Sequence, residues 1–195
     1  LADLFDGVVI TPPSVGAIIA IVLAVVLLFA SGFVSASEIA FFSLAPNDLN
    51  DIEEENHSSD KYIKSLLKDS ERLLATILIS NNFVNVTIIM LCNFFFAEVI
   101  DFGSSVVLEF LVITVVLTFL LLLFGEIMPK IYSAQHTLKF VRFAAPVIRL
   151  LKKVFSPLSA LLVRSGFIVN KLVAKKNYSI SVDELSQALE LTDKT

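Results

Sequence analysis

The chain has 195 residues, 56% of them hydrophobic and 17% charged, and its mean hydropathy is +0.83. A soluble domain carries about 25% charged residues, whereas here the apolar excess is gathered into runs: no Asp, Glu, Lys or Arg stands from Val15 to Ser37, or from Leu73 to Ala97. Each run exceeds the ~20 residues a helix needs to cross a ~30 Å hydrocarbon core, which excludes a soluble enzyme, a nucleic-acid-binding module and a disordered tail. The net charge of −4 is too small to argue for an acidic or a basic partner.

The segment before Val15 lacks the positively charged start of a secretory signal, and Leu1 in first place suggests a chain that begins inside a longer one. A first span is expected from Ser14 to about Ser43, with Pro12 and Pro13 where a helix start tolerates them. The polar stretch Asn47 to Arg72 reads as one or two short helices. A second span is expected from about Leu73 to Ala97, then a tight link around Asp101 and Gly103. A third runs from about Val106 to Lys130, with Glu109 near its start.

Residues 1–136 are thus expected to form a three-span domain with spans at about 14–43, 73–97 and 106–130. In residues 137–176, basic residues recur among Phe, Leu, Val and Ile. That pattern fits juxtamembrane helices lying in the interface, their long basic side chains reaching the headgroups; a fourth span centred on Leu161 is the alternative. From Asn177 the chain turns polar, so 177–195 reads as the start of a linker to a cytosolic domain. The expected fold class is all-α integral membrane: three transmembrane helices followed by a juxtamembrane belt of interfacial helices.

Basic residues set the orientation. There are none before Lys61, four from Lys61 to Arg72, none from Leu73 to Pro129 and 11 from Lys130 onward. All of them lie on one side if the N-terminus is outside and the C-terminus cytoplasmic, as the positive-inside rule requires. The expected location is therefore the cell's inner (plasma) membrane, crossed three times.

Polar groups in hydrocarbon are costly and tend to face a bundle interior or a water-filled cavity. Ser31 and Ser35 are four residues apart on one face of the first span, and Glu38 follows on that face. The second span carries Asn81, Asn82, Asn85 and Asn93, with Asn81 and Asn85 on one face. The third ends Gly125-Glu126-Ile127-Met128-Pro129-Lys130. Pro129 has no N–H to offer the carbonyl of Gly125 four residues back, which leaves a bare acceptor beside the Glu126 carboxylate. Close helix packing by the serines, interhelical hydrogen bonds by the asparagines and a proline stop with Glu126 paired to Lys130 are the plainer accounts.

Depth brings the three sets together. At ~1.5 Å per residue, Ser31 to Ser35 lie ~25–30 Å from the outer start of their span, Asn81 and Asn85 ~12–18 Å from the inner start of theirs, and Glu126 ~30 Å from the outer start of the third. All fall in the cytoplasmic half. Hydroxyl, amide, carbonyl and carboxylate oxygens form an all-oxygen donor set, suited to Mg²⁺, Ca²⁺, Mn²⁺ or Na⁺ rather than zinc or copper. Pro129 would act as a helix break, with Glu38 and Lys130 supporting an inner opening. Cys92 reads as a buried hydrophobe, His57 and His136 as surface residues, Asp51–Glu55 as a solvated helix face and Phe94–Phe96 as lipid contacts. No nucleophile–base pair or phosphate-binding loop appears, so an enzyme is not expected.

Ser31-Gly32-Phe33-Val34-Ser35 with Ser37-Glu38 resembles the first helix of the CNNM/CorC magnesium transporters. Asn81-Asn82-Phe83-Val84-Asn85 is similar to their second-helix Asn-x-x-x-Asn signature, and Phe124-Gly125-Glu126-Ile127-Met128-Pro129-Lys130 to their Gly-Glu-x-x-Pro-Lys end of the third helix. Ser80 and Asn82 depart from the commoner pattern. The resemblance implies a homodimer embedded in the lipid bilayer, with ATP bound only through cytosolic CBS domains outside this chain. It implies Mg²⁺ as the ion carried outward, Na⁺ as a coupling ion, and Ser31, Ser35, Asn81, Asn85, Gly125 and Glu126 as the metal ligands. The alternative is a membrane anchor or sensor subunit, of the kind in a gliding-associated branch, that binds a cation or a partner protein without transport.

Overall fold

The computed structural model describes residues 9–103 and 106–165. Among them, three helices are long and apolar enough to cross a membrane: α1 (Val15–Phe42), α4 (Ser70–Val99), and a composite third helix whose apolar part covers Glu109–Gln135. Between the first two lie α2 (Pro46–Glu53) and α3 (Asp60–Leu67), the short helices expected from the polar stretch. The third helix is built from α5 (Val106–Leu120), a π-helical segment (Leu121–Ile127) and α6 (Met128–Gln135). Then α7 (Thr137–Val154) follows, and helical backbone continues over residues 156–165. The expected belt residues beyond 165, the basic run Lys171–Lys176 and the linker 177–195 lie outside the described residues, as do residues 1–8.

One end of the bundle is tied by a feature the sequence did not announce. β1 (Val9–Ile10) pairs antiparallel with β2 (Ile100–Asp101), Val9 opposite Asp101. The Thr11 hydroxyl donates to the Glu98 carbonyl at 2.6 Å, and the Ser14 N–H donates to the Glu98 carboxylate at 3.1 Å. Ser14 in turn caps α1 by accepting the Ala17 N–H. The start of α1 is thereby fixed to the end of α4, and the two helices pack along their lengths. Small residues allow that approach: Ala17, Ala20, Ala24, Ser31 and Ser35 are all buried.

The other end carries the belt. Val141, Ala144, Ala145 and Ile148 of α7 are buried with Val34, Ala40 and Phe41 of α1, Ile63 and Leu66 of α3, and Leu73 and Ile77 of α4. Asp60, with no exposed surface, accepts two hydrogen bonds from Arg142 at 2.9 and 3.2 Å and one from the His57 N–H at 3.0 Å. Burial pushes its carboxyl up, but Arg142 and His57 outweigh that and hold it below its ordinary value of 3.8. This bidentate pair bolts α7 to the α1–α4 connection. Lys152 adds a second tie to Asp69 at 3.4 Å.

The third helix differs from expectation in two respects. It does not end at Lys130 but runs through Pro129 to Gln135, so the proline is no stop. The irregularity lies just before it, in the π-helical turns, where Met128 N–H reaches the Leu123 carbonyl five residues back.

Candidate metal site

The π-helical segment brings Gly125 against α1, where a β-carbon on it would lie 3.3 Å from the Ser31 hydroxyl. Only a glycine lets the third helix come this close to Ser31 without displacing it. One residue on, Gly32 serves the same helix from the other side: its β-carbon would meet Pro129 Cγ at 2.9 Å and the Phe124 carbonyl at 3.0 Å. Gly32 stood inside the serine motif but carried no role in the sequence reading, because its importance rests on a neighbour 97 positions away.

Ser31 faces α4. Its Oγ lies 2.6 Å from Asn85 Oδ1 and 3.0 Å from Asn81 Oδ1. Asn81 also meets the third helix, its Nδ2 being 3.5 Å from Glu126 Oε1, long for a hydrogen bond. Ser35, one turn beyond Ser31 on the same face of α1, is fully buried and its hydroxyl has no partner among the described residues. Ser31, Asn81, Asn85, Gly125 and Glu126 are therefore brought together directly, and Ser35 is stacked beside them along α1.

The orientation of the two amides decides how the hydrogen bonds of this cluster close. Ser31 has one hydroxyl hydrogen, yet two amide oxygens converge on it. Turning the Asn81 amide would satisfy Ser31 but would aim an oxygen at the Glu126 carboxylate. Turning the Asn85 amide instead lets its Nδ2 donate to Ser31, Ser31 donate to Asn81 Oδ1 and Asn81 donate to Glu126, so these contacts can close on themselves, while the Ser35 hydroxyl stays without a partner among the described residues. The gathered hydroxyl, amide and carboxylate oxygens are the kind of donors a hard cation takes.

Other candidates fall elsewhere. Lys130 pairs with Glu38 at 3.1 Å, not with Glu126 as the proline-stop account required. Asn82 and Asn93 are exposed on α4. His57 and His136 are exposed, His136 stacked on Tyr132, and Cys92 is buried. Glu53, Glu54 and Glu55 are exposed around the buried Ile52. Phe94 is exposed, whereas Phe96 packs edge-on against Phe95 and lines an apolar cavity of about 110 Å³ with Leu28, Ile88, Cys92, Leu117 and Leu121. That cavity lies on the strand-paired side of the oxygen cluster. No three His, Cys, Asp or Glu side chains gather among the described residues, so the cluster is the oxygen type and not an imidazole–thiolate type.

The sequence matches the Cyclin M transmembrane N-terminal domain (CNNM) family over residues 22–195. It is 30% identical over 138 residues to a UPF0053 protein of Haemophilus influenzae, covering 70% of this chain and 31% of that protein. It is 30% identical over 166 residues to metal transporter cnnm-4 of Caenorhabditis elegans, covering 82% of this chain and 33% of the relative. A further match, 30% identical over 107 residues, is the UPF0053 inner membrane protein YfjD of Escherichia coli, covering 54% of this chain and 24% of that one. The chain thus spans about a third of the length of the relatives it matches. With three membrane-length helices and motif residues from each meeting at one place, the chain belongs to the CNNM family of transmembrane domains.

Proposed function

We propose that the chain is the membrane part of a Mg²⁺ transporter that carries the ion outward, with Na⁺ as coupling ion. The observation that carries this reading is the convergence of oxygen-bearing side chains from all three spans around Ser31: two amides on one hydroxyl, a carboxylate behind Asn81, and the Ser35 hydroxyl, which has no partner among the described residues. In this reading Ser31 and Ser35 supply hydroxyl oxygens, Asn81 and Asn85 amide oxygens and Gly125 its carbonyl. Glu126 brings the negative charge that favours a divalent ion.

The spacing is compatible with a small ion. Metal–oxygen bonds of about 2.0–2.1 Å in an octahedron put neighbouring oxygens about 2.9 Å apart, within the range of the hydrogen-bonded contacts of 2.6 and 3.0 Å here. Ca²⁺, with bonds of about 2.3–2.6 Å, would need the cluster to open. Mg²⁺ keeps part of its water shell in most protein sites, so these side chains need not complete the coordination.

Charge supports the orientation. Lys130, Arg142, Arg149, Lys152 and Lys153 all belong to the belt end, which is cytoplasmic by the positive-inside rule, in an inner or plasma membrane. The site then draws ions from the cytoplasm, and the apolar cavity around Leu28 and Leu121 lies on its outer side. In this reading access alternates when the third helix moves against α1 and α4, its π-helical turns marking the irregular part of the helix. The protein acts as a homodimer, and ATP acts only through cytosolic domains beyond this chain.

A second reading, a cation-binding anchor or sensor, has the mutual hydrogen bonding of Ser31 and Asn85 in its favour. Flux separates the two. Protein reconstituted in liposomes with a trapped Mg²⁺-sensitive dye is expected to give saturable flux that is lost in Glu126→Ala and responds to an opposing Na⁺ gradient. Binding without flux would favour the sensor.

A further inference from the structure

α7 divides its surface into three faces. Val141, Ala144, Ala145 and Ile148 are buried in the belt core. On the opposite side Phe143, Val147, Leu150 and Val154 recur at helical spacing and are exposed, Phe143 at 68% and Leu150 at 61%. Along the edge between these faces stand Arg142, Pro146, Arg149 and Lys153. An apolar outer face beside a basic edge is the pattern of a helix lying at a membrane surface.

The basic side chains near this edge are not equivalent. Arg142 is consumed by Asp60, and Lys152 reaches Asp69. Arg149 and Lys153, one turn apart, have no carboxylate partner among the described residues. Arg149 is nevertheless held in place, its guanidinium lying 4.5 Å over the Tyr62 ring. Tyr62, Pro146, Arg149, Leu150 and Lys153 together line a depression of about 340 Å³.

We propose that this depression binds the phosphate headgroup of an anionic phospholipid from the leaflet bordering the belt. The acyl chains then lie over Phe143, Val147 and Val154. Charge complementarity selects this occupant. A pre-oriented guanidinium offers paired donors to phosphate oxygens, and the Lys153 ammonium adds a second positive charge. The cationic end of a zwitterionic lipid would be repelled by the same pair. The adjoining apolar stripe asks for hydrocarbon, which a free phosphate lacks. The lipid would hold α7 against α3, and through Asp60–Arg142 fix the belt beneath the metal site.

Dioctanoyl phosphatidylglycerol titrated onto the purified chain in neutral detergent is expected to raise the Tm saturably, and dioctanoyl phosphatidylcholine is not. The double variant Arg149→Gln/Lys153→Gln should weaken the response by roughly tenfold or more. A variant losing the same charge elsewhere, Lys61→Gln/Lys68→Gln, should leave it intact. Should the double variant fail to fold, Lys153→Gln alone, which loses no described contact, should weaken binding roughly threefold. An equal response to phosphatidylcholine, or an equal loss in both double variants, would overturn the proposal. So would displacement of the lipid by inorganic phosphate at matching concentration.

Discussion

Gly32 faces Pro129 so closely that a β-carbon would sit 2.9 Å from the ring Cγ and 3.0 Å from the Phe124 carbonyl oxygen. Neither neighbour can move away as the tip of a flexible side chain would. The contact therefore sets the distance between α1 and the segment that carries Gly125 and Glu126.

Gly32→Ala is expected to destabilise the protein by about 1–3 kcal/mol through overpacking, and to weaken cation binding because Glu126 is pushed from Ser31 and Asn81. Gly16→Ala is the matched control. Its nearest neighbour, the Ser14 hydroxyl, would lie 3.5 Å away, so helix propensity should make it neutral or stabilising by up to about 1 kcal/mol. Thermal unfolding of both variants in detergent checks the pair.

Ser35→Ala separates a ligand from a packing residue. Its hydroxyl is buried with no partner among the described residues, and an unsatisfied buried polar group costs about 1–3 kcal/mol. Removing it should leave the cation-free protein as stable as the parent or more so, while cation affinity falls. A drop in cation-free stability would mean the hydroxyl has a structural partner after all.

The Asp60–Arg142 pair gives a prediction with a pH sign. Removing one member of a buried pair costs about 3–5 kcal/mol, so Arg142→Gln should lower the Tm markedly at pH 7. In the parent, the Asp60 carboxyl is held below 3.8. Its contribution is therefore full above that value and is lost as the pH falls through the lower, folded-state value. In the variant the Arg142 contributions are gone, so the carboxyl should titrate higher than in the parent. The variant should therefore lose less stability than the parent as the pH falls. Unfolding curves of the two proteins should converge toward acid, and parallel curves would show that the pair does not carry the belt.

The spans were legible because charge-free runs of membrane length leave little choice of structure. The oxygen-bearing residues were legible as polar groups at four-residue spacing in hydrocarbon. What sequence hid was register. A π turn is invisible to a 3.6-residue pattern, so the irregular backbone that carries Gly125 and Glu126 reads from sequence as regular helix up to a proline. Nearness in the chain offers Glu126 as a partner for Lys130, although the carboxylate it pairs with in space is that of Glu38, 92 positions earlier. The Asp60–Arg142 bolt was hidden for the same reason: each residue alone reads as a surface charge, and only their packing shows the pair.

The most direct measurement is a calorimetric titration of the purified chain with Mg²⁺, alongside Glu126→Ala and Ser35→Ala. Saturable binding in the parent, abolished by Glu126→Ala and weakened by Ser35→Ala with both variants folded, is the expected result. Binding of equal affinity in all three proteins would contradict the site, because the oxygen cluster around Ser31 would then be packing alone.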